Sequence, residues 1–175
     1  DKGADKGALI LTERTLKDAH SGQDLATLTS TTFARGNGGY DGPSDEAPRP
    51  HKVPEREPDF AVDLTTLNMA ALIYRLSGDY NPLHASPSVA KAAGFPKPIL
   101  HGLCSLGVAG HAILKGCCDY DAKRLKSLQL RFSSPVYPGE MVRTEIWRDG
   151  ANISFKSKIL ERDVVVLDNG HATVE

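Results

Sequence analysis

Leu and Ile set among β-branched and polar residues fill positions 8–16 (ALILTERTL) and 25–35 (LATLTSTTFAR), and the stretch between, KDAHSGQD, supplies Asp, Ser and Gly for a turn. A β-hairpin is predicted. From Gly36 to Asp59 the chain is dense in Gly, Pro and charge, with neither a helical nor a strand period. That interval is longer than the usual connection inside a compact domain and so divides two units. In VDLTTLNMAALIYRLSG the pattern changes: Thr65 or Thr66 can cap a helix that places Leu67, Ala70, Ala71 and Tyr74 on one face and ends at Gly78. A second short helix fits SPSVAKAAGF, with Ser86 as cap, Pro87 in the first turn and Gly94 at the end. PILHGLCSLGVAGHAILKGC is apolar nearly all round, which predicts a buried helix whose Gly102, Gly107 and Gly110 allow close approach.

From Leu125 the period becomes two. RDGAN between VRTEIW and ISFKSKIL reads as a hairpin turn, and LDNG as a further break. Helices, then a buried helix, then antiparallel strands make an α+β unit, its sheet wrapped against one long helix. The early hairpin echoes the later EMVRTEIWRDGANISFKSKILERDVVV, which suggests two copies of one fold with the first incomplete. A lone hairpin buries too little surface to stand by itself, so it must pack on something. The boundaries expected are a hairpin unit at 1–40, a linker at 41–60 and the main unit at 61–175.

Composition narrows the partners. With 21 Lys and Arg against 22 Asp and Glu, the net charge of −1 provides no basic field for nucleic acid or an anionic membrane. The apolar runs are too short or too broken to span a bilayer, and DKGADKGALIL has no leader-like pattern, so an intracellular protein is expected. Cys104, Cys117 and Cys118 are odd in number and lack zinc spacing; they read as ordinary thiols in a reducing compartment.

The dense stretch is GDYNPLH. Gly78 ends one helix and Pro82 disfavours another before residue 83, so Asp79, Asn81 and His84 project from a short constrained segment. Two readings stand side by side. In the first, Asp79 caps, Asn81 makes an Asx-turn before Pro82, and His84 satisfies a backbone carbonyl. In the second, a converging carboxylate and imidazole hold one water between them, each able to take or give a proton. PKPILHG then leads into the start of the buried helix, where free N–H groups and the positive dipole end can receive an oxyanion. That equipment suits chemistry beside a thioester carbonyl. His101 reads as a packing or second-layer residue and His111 as a satisfied core histidine. Trp147 and Tyr137 read as packing residues. Arg35, Lys123, Arg124 and Lys126 could meet the phosphates of a ligand, but basic surface residues usually do no more than solvate, and they are left unassigned. A metal held by Asp79, His84 and His101 lacks an evident fourth ligand, so no metal is assigned.

YRLSGDYNPLH, followed by AGFPKPILHGL and later by PVYPGEMVRTEIW, resembles the hydratase 2 (MaoC-like, R-specific enoyl-CoA hydratase) family, and most closely its two-domain forms. The resemblance implies a hot-dog fold, duplicated as a double hot-dog, with a catalytic second half and a degenerate first half that is incomplete in this chain. It implies reversible hydration of trans-2-enoyl-CoA to (3R)-3-hydroxyacyl-CoA in fatty-acid metabolism, with no cofactor beyond the coenzyme A carried by the substrate. Asp79 and His84 match the family's catalytic dyad, Asn81 its orienting residue and Gly102 its oxyanion donor. Phe132, Tyr80, Pro82, Leu83 and Lys2 match substrate-binding positions, Lys2 in one of two registers that DKGADKG offers. A homodimer is expected, cytoplasmic in a bacterium and peroxisomal in a eukaryote. The rival readings are a hot-dog acyl-CoA thioesterase and a non-catalytic acyl-thioester binding module.

Overall fold

The computed structural model describes residues 1–43 and 49–175. These form two compact units, Asp1–Arg49 and Pro50–Glu175. The first unit carries the expected hairpin, β1 (Ala8–Lys17) paired antiparallel with β2 (Asp24–Ala34). Its turn is held by the Asp18 carboxylate, which accepts from the backbone N–H groups of His20 and Ser21 and from the Ser21 hydroxyl. These bonds pull the Asp18 carboxyl below its ordinary value. Ile10, Leu11, Leu16, Leu25, Leu28 and Phe33 stand exposed on this hairpin.

The second unit is a five-stranded antiparallel sheet with one long helix against it. The strands are β3 (Phe60–Thr65), β4 (Leu125–Phe132), β5 (Met141–Asp149), β6 (Asn152–Ile159) and β7 (Val164–Val174), in the order β3-β5-β6-β7-β4. Three α-helices lie between β3 and β4 in the chain, α1 (Ala70–Tyr74), α2 (Pro87–Ala92), where SPSVAKAAGF predicts it, and α3 (Gly102–Cys117), and α3 packs on β3, β4, β5 and β7. This is the hot-dog arrangement expected from the sequence. The core lies between them: Ile113 from the helix meets Ile146, Ile153, Phe155, Ile159 and Leu167 from the sheet, all fully or almost fully buried. The Gly150-Ala151 turn between β5 and β6 sits where RDGAN predicts it.

Four expectations are corrected. Residues 60–65 form β3 rather than leading into a helix, and α1 (Ala70–Tyr74) begins later, with Met69 as a cap that makes no side-chain bond. The β-branched Val62, Thr65 and Thr66 suit the pleated edge, and the Thr66 hydroxyl, read as a helix cap, instead donates to the Glu140 carbonyl at 2.9 Å. LDNG does not interrupt β7; it forms a bulge, with Asn169 at φ 53 and shifted register on both neighbouring strands. Helix α3 is not covered all round, because Leu103, Gly107 and His111, four apart, are exposed. Finally, residues 50–59 belong to the sheet's unit rather than to a free linker. His51 receives Asn169 Nδ2 on its carbonyl at 2.7 Å, Arg56 receives Trp147 Nε1 at 2.7 Å, and the Asp59 carboxylate accepts from the Arg148 N–H at 2.7 Å. The strap covers Trp147 on the face of β5 opposite Ile146, which is why two successive residues of one strand are both buried. Among the described residues no helix is long and apolar enough to cross a membrane.

Candidate active site

The site is assembled where α1 ends and α3 begins. Arg75–Ser77 continue α1 as a single 3-10 turn, closed by Gly78 in the left-handed region at φ 114. Asp79 follows, exposed, its Oδ1 accepting from the Asn81 N–H at 3.2 Å. Asn81 then caps a second 3-10 turn, Pro82–His84: its Oδ1 accepts from the Leu83 N–H at 3.0 Å, and Pro82 occupies the first-turn position where no N–H is needed. The bonds of the first reading of GDYNPLH are therefore all present, including that of His84 to a backbone carbonyl. The capping bonds form, and they are what aims the two side chains.

A carboxylate oxygen of Asp79 and ring nitrogens of His84 and His101 lie within 4.8 Å of one another. His84 Nδ1 is 2.9 Å from the Ile99 carbonyl oxygen. A carbonyl only accepts, so Nδ1 carries the hydrogen and the neutral ring keeps its lone pair on Nε2. The His84 and His101 rings are stacked, with centroids 3.8 Å apart and planes 26° from parallel. That geometry does not suit a shared metal ion. Lone pairs lie in the ring planes, so two stacked rings point theirs nearly side by side instead of at one centre, and His101 Nε2 already bonds to the Asp79 carbonyl at 3.2 Å.

Two cavities, each of about 290 Å³, share His84 as a wall. The first is bounded by Phe95, Ile99, Gly102, Ser105, Phe132 and Val136, and the second by Asn68, Leu72, Lys97 and Pro138. Gly102 opens α3 with its N–H unbonded among the described residues, and a Cβ there would press on the Phe132 ring at 3.3 Å. The start of the helix is fixed by the Leu100 N–H on the Val136 carbonyl at 2.7 Å.

Asp79, His84, Gly102 and Phe132 are thus brought together, with Pro82 and Leu83 in the turn that carries His84. Tyr80 is exposed, with the Arg75 guanidinium over its ring at 5.4 Å. Lys2 belongs to the other unit. His111 is no core residue: it is exposed, with Nε2 3.2 Å from the Tyr120 hydroxyl. Trp147 and Tyr137 pack as expected, Tyr137 between the Lys97 and Arg162 cations. Arg124 and Lys126 are occupied by Asp119 and Glu175, with N–O distances of 2.7 Å and 2.9 Å, near the far end of α3 from Gly102. All three cysteines are free thiols, and burial pushes each of them up. Ser105 escaped the sequence reading, although its place three residues after Gly102 puts both on one helical face.

The MaoC like domain family matches residues 50–170. The chain is 43% identical over 176 residues to 3-hydroxyacyl-thioester dehydratase Y of Mycobacterium tuberculosis, covering 97% of this chain and 61% of that protein. It is 41% identical over 176 residues to the peroxisomal enoyl-CoA hydratase 2 of Arabidopsis thaliana, covering 95% and 56% respectively. Among solved structures, that of a MaoC-like dehydratase from Phytophthora capsici superposes with a TM-score of 0.86 at 41% identity, over 99% of this chain and 61% of that one. The chain thus spans less than two thirds of the length of each of these relatives.

Proposed function

The chain belongs to the MaoC-like domain family, and from that premise we propose that it catalyses the reversible addition of water to a trans-2-enoyl-CoA, yielding the (3R)-3-hydroxyacyl-CoA of fatty-acid metabolism. The observation that carries the reading is the convergence of Asp79 and His84 beside the cavity that Gly102 and Phe132 line.

Hydration needs a water deprotonated as it meets C3 and a proton delivered to C2. Asp79 and His84 share these two transfers around one water, His84 through Nε2 because Nδ1 is held by Ile99. As the bond to C3 forms, negative charge gathers on the thioester oxygen. The Gly102 N–H, at the positive end of a 16-residue helix, receives it. One such donor is worth on the order of 10²–10³ in rate, comparable with the roughly 10²–10⁴ of acid–base catalysis, so neither half suffices alone. Phe132 then bounds the space left for the acyl chain. The active form we infer is a homodimer, peroxisomal in a eukaryotic host and cytoplasmic in a bacterial one.

Crotonyl-CoA tests the reading. The enoyl absorbance should fall with no release of free thiol, and chiral analysis of the product should give the 3R alcohol. Thiol release in step with the absorbance change would mark a thioesterase instead, and tight binding without turnover would mark a binding module.

A further inference from the structure

His101 has no task in the reaction just described, yet it is the most enclosed polar side chain at the site, only 1% exposed. Its ring lies between His84, stacked at 3.8 Å, and Tyr74, tilted at 4.7 Å between centroids. Its Nε2 is 3.2 Å from the Asp79 carbonyl oxygen and must donate to it, while Nδ1 is buried without a partner. A charged imidazole would bury a second N–H there facing no acceptor, so the ring is held neutral. Burial pushes the group below its ordinary value, and the bond to the Asp79 carbonyl only partly offsets that.

We propose that His101 is a positioning residue that sets the geometry of the dyad from both sides: its N–H fixes the backbone at Asp79 while its ring face fixes the plane of His84. The proposal rests on the dyad reading above. Asp79 follows a left-handed glycine in an exposed segment, and its carboxylate is held by the N–H of its near neighbour Asn81. His84 is turned by the bond to Ile99 but could still pivot about it. His101 touches both. It is itself held in the short connection between the Leu100 bond to Val136 and the first turn of α3, where the Ser105 N–H donates to its carbonyl at 3.1 Å. Because Gly102 is the next residue, one side chain registers carboxylate, imidazole and oxyanion donor against each other.

Three variants separate the two contacts. His101→Gln keeps an N–H donor for the Asp79 carbonyl and loses the flat face; His101→Phe keeps the face and loses the donor; His101→Ala loses both. Misplacing reacting groups by about an ångström costs up to roughly 10²-fold, so kcat with crotonyl-CoA should fall about 10- to 100-fold in His101→Ala. KM should move little, and Gln and Phe should each recover part of the loss. Placed in an Asp79→Asn background, His101→Ala should cost little more, since it acts through the dyad. Circular dichroism identifies any variant that fails to fold, in which case the Phe and Gln variants carry the comparison. Full turnover in folded His101 variants while Asp79→Asn is crippled overturns the positioning role alone, as does a full multiplicative loss in the Asp79→Asn background. Full turnover in Asp79→Asn overturns the dyad reading and this proposal with it.

Discussion

The Nδ1–H of His84 is spent on the Ile99 carbonyl, and the Asp79 carboxylate is held by the N–H of Asn81, so each group offers its free atoms to the space between them. Asp79→Asn keeps an oxygen for the Asn81 N–H and leaves the turn intact; His84→Ala opens a half-buried position at the cavity wall. Each should lower kcat by roughly 10²–10⁴ with folding preserved. In the proposed mechanism both work on one water, so the double variant should be scarcely slower than the worse single one, which steady-state kinetics on crotonyl-CoA will read. Near-normal turnover in either single variant removes the dyad. These residues were legible in advance because Gly78 and Pro82 punctuate the backbone around them. The stacking of His101 on His84 was not, since it depends on where α3 begins relative to a turn many residues earlier.

Elements were legible where local chemistry decides them and obscure where tertiary cover does. The β5–β6 hairpin announced itself through its Asp-Gly turn. The lead into α1 did not, because VDLTT offers hydroxyl caps and an apolar period that serve a strand edge equally well. Helix α3 looked buried on every side because glycine and alanine read as apolar wherever they point, which hid the open row at Leu103, Gly107 and His111. Asn-Gly marks a bulge as readily as a break, so LDNG reads as a break although β7 runs through it. Here the glycine is needed for space: a Cβ on Gly170 would collide with the Phe155 carbonyl oxygen and ring across the sheet. Phe155 is fully buried in the core, and its carbonyl cannot move without disturbing β6. Gly170→Ala should therefore destabilise the unit by about 1–3 kcal/mol. The signature is a lower denaturant midpoint at unchanged slope. An unchanged midpoint would mean that the bulge has room to relax.

At the scale of the whole molecule, the open row on α3 has company. Leu72, Ile73 and Leu76 stand about 50% to 73% exposed, and Leu103 is 61% exposed. The first three fall in one short run of helix and turn, and a water-soluble monomer seldom leaves several large apolar side chains uncovered so close together. The sheet adds a second open feature, since among the described residues no strand pairs with the outer sides of β3 and β4. The homodimer proposed above would answer both needs, with helix rows meeting across a two-fold axis and edge strands pairing. The protein should then run at about twice the 18.8 kDa of one chain in light scattering at micromolar concentration. Leu76→Lys combined with His111→Glu places charge on the helical surface without touching the cavity walls. It should shift the mass toward a single chain while circular dichroism stays unchanged. A wild-type protein that remains a stable monomer across that concentration range refutes the dimer and leaves the exposed row to be covered in some other way.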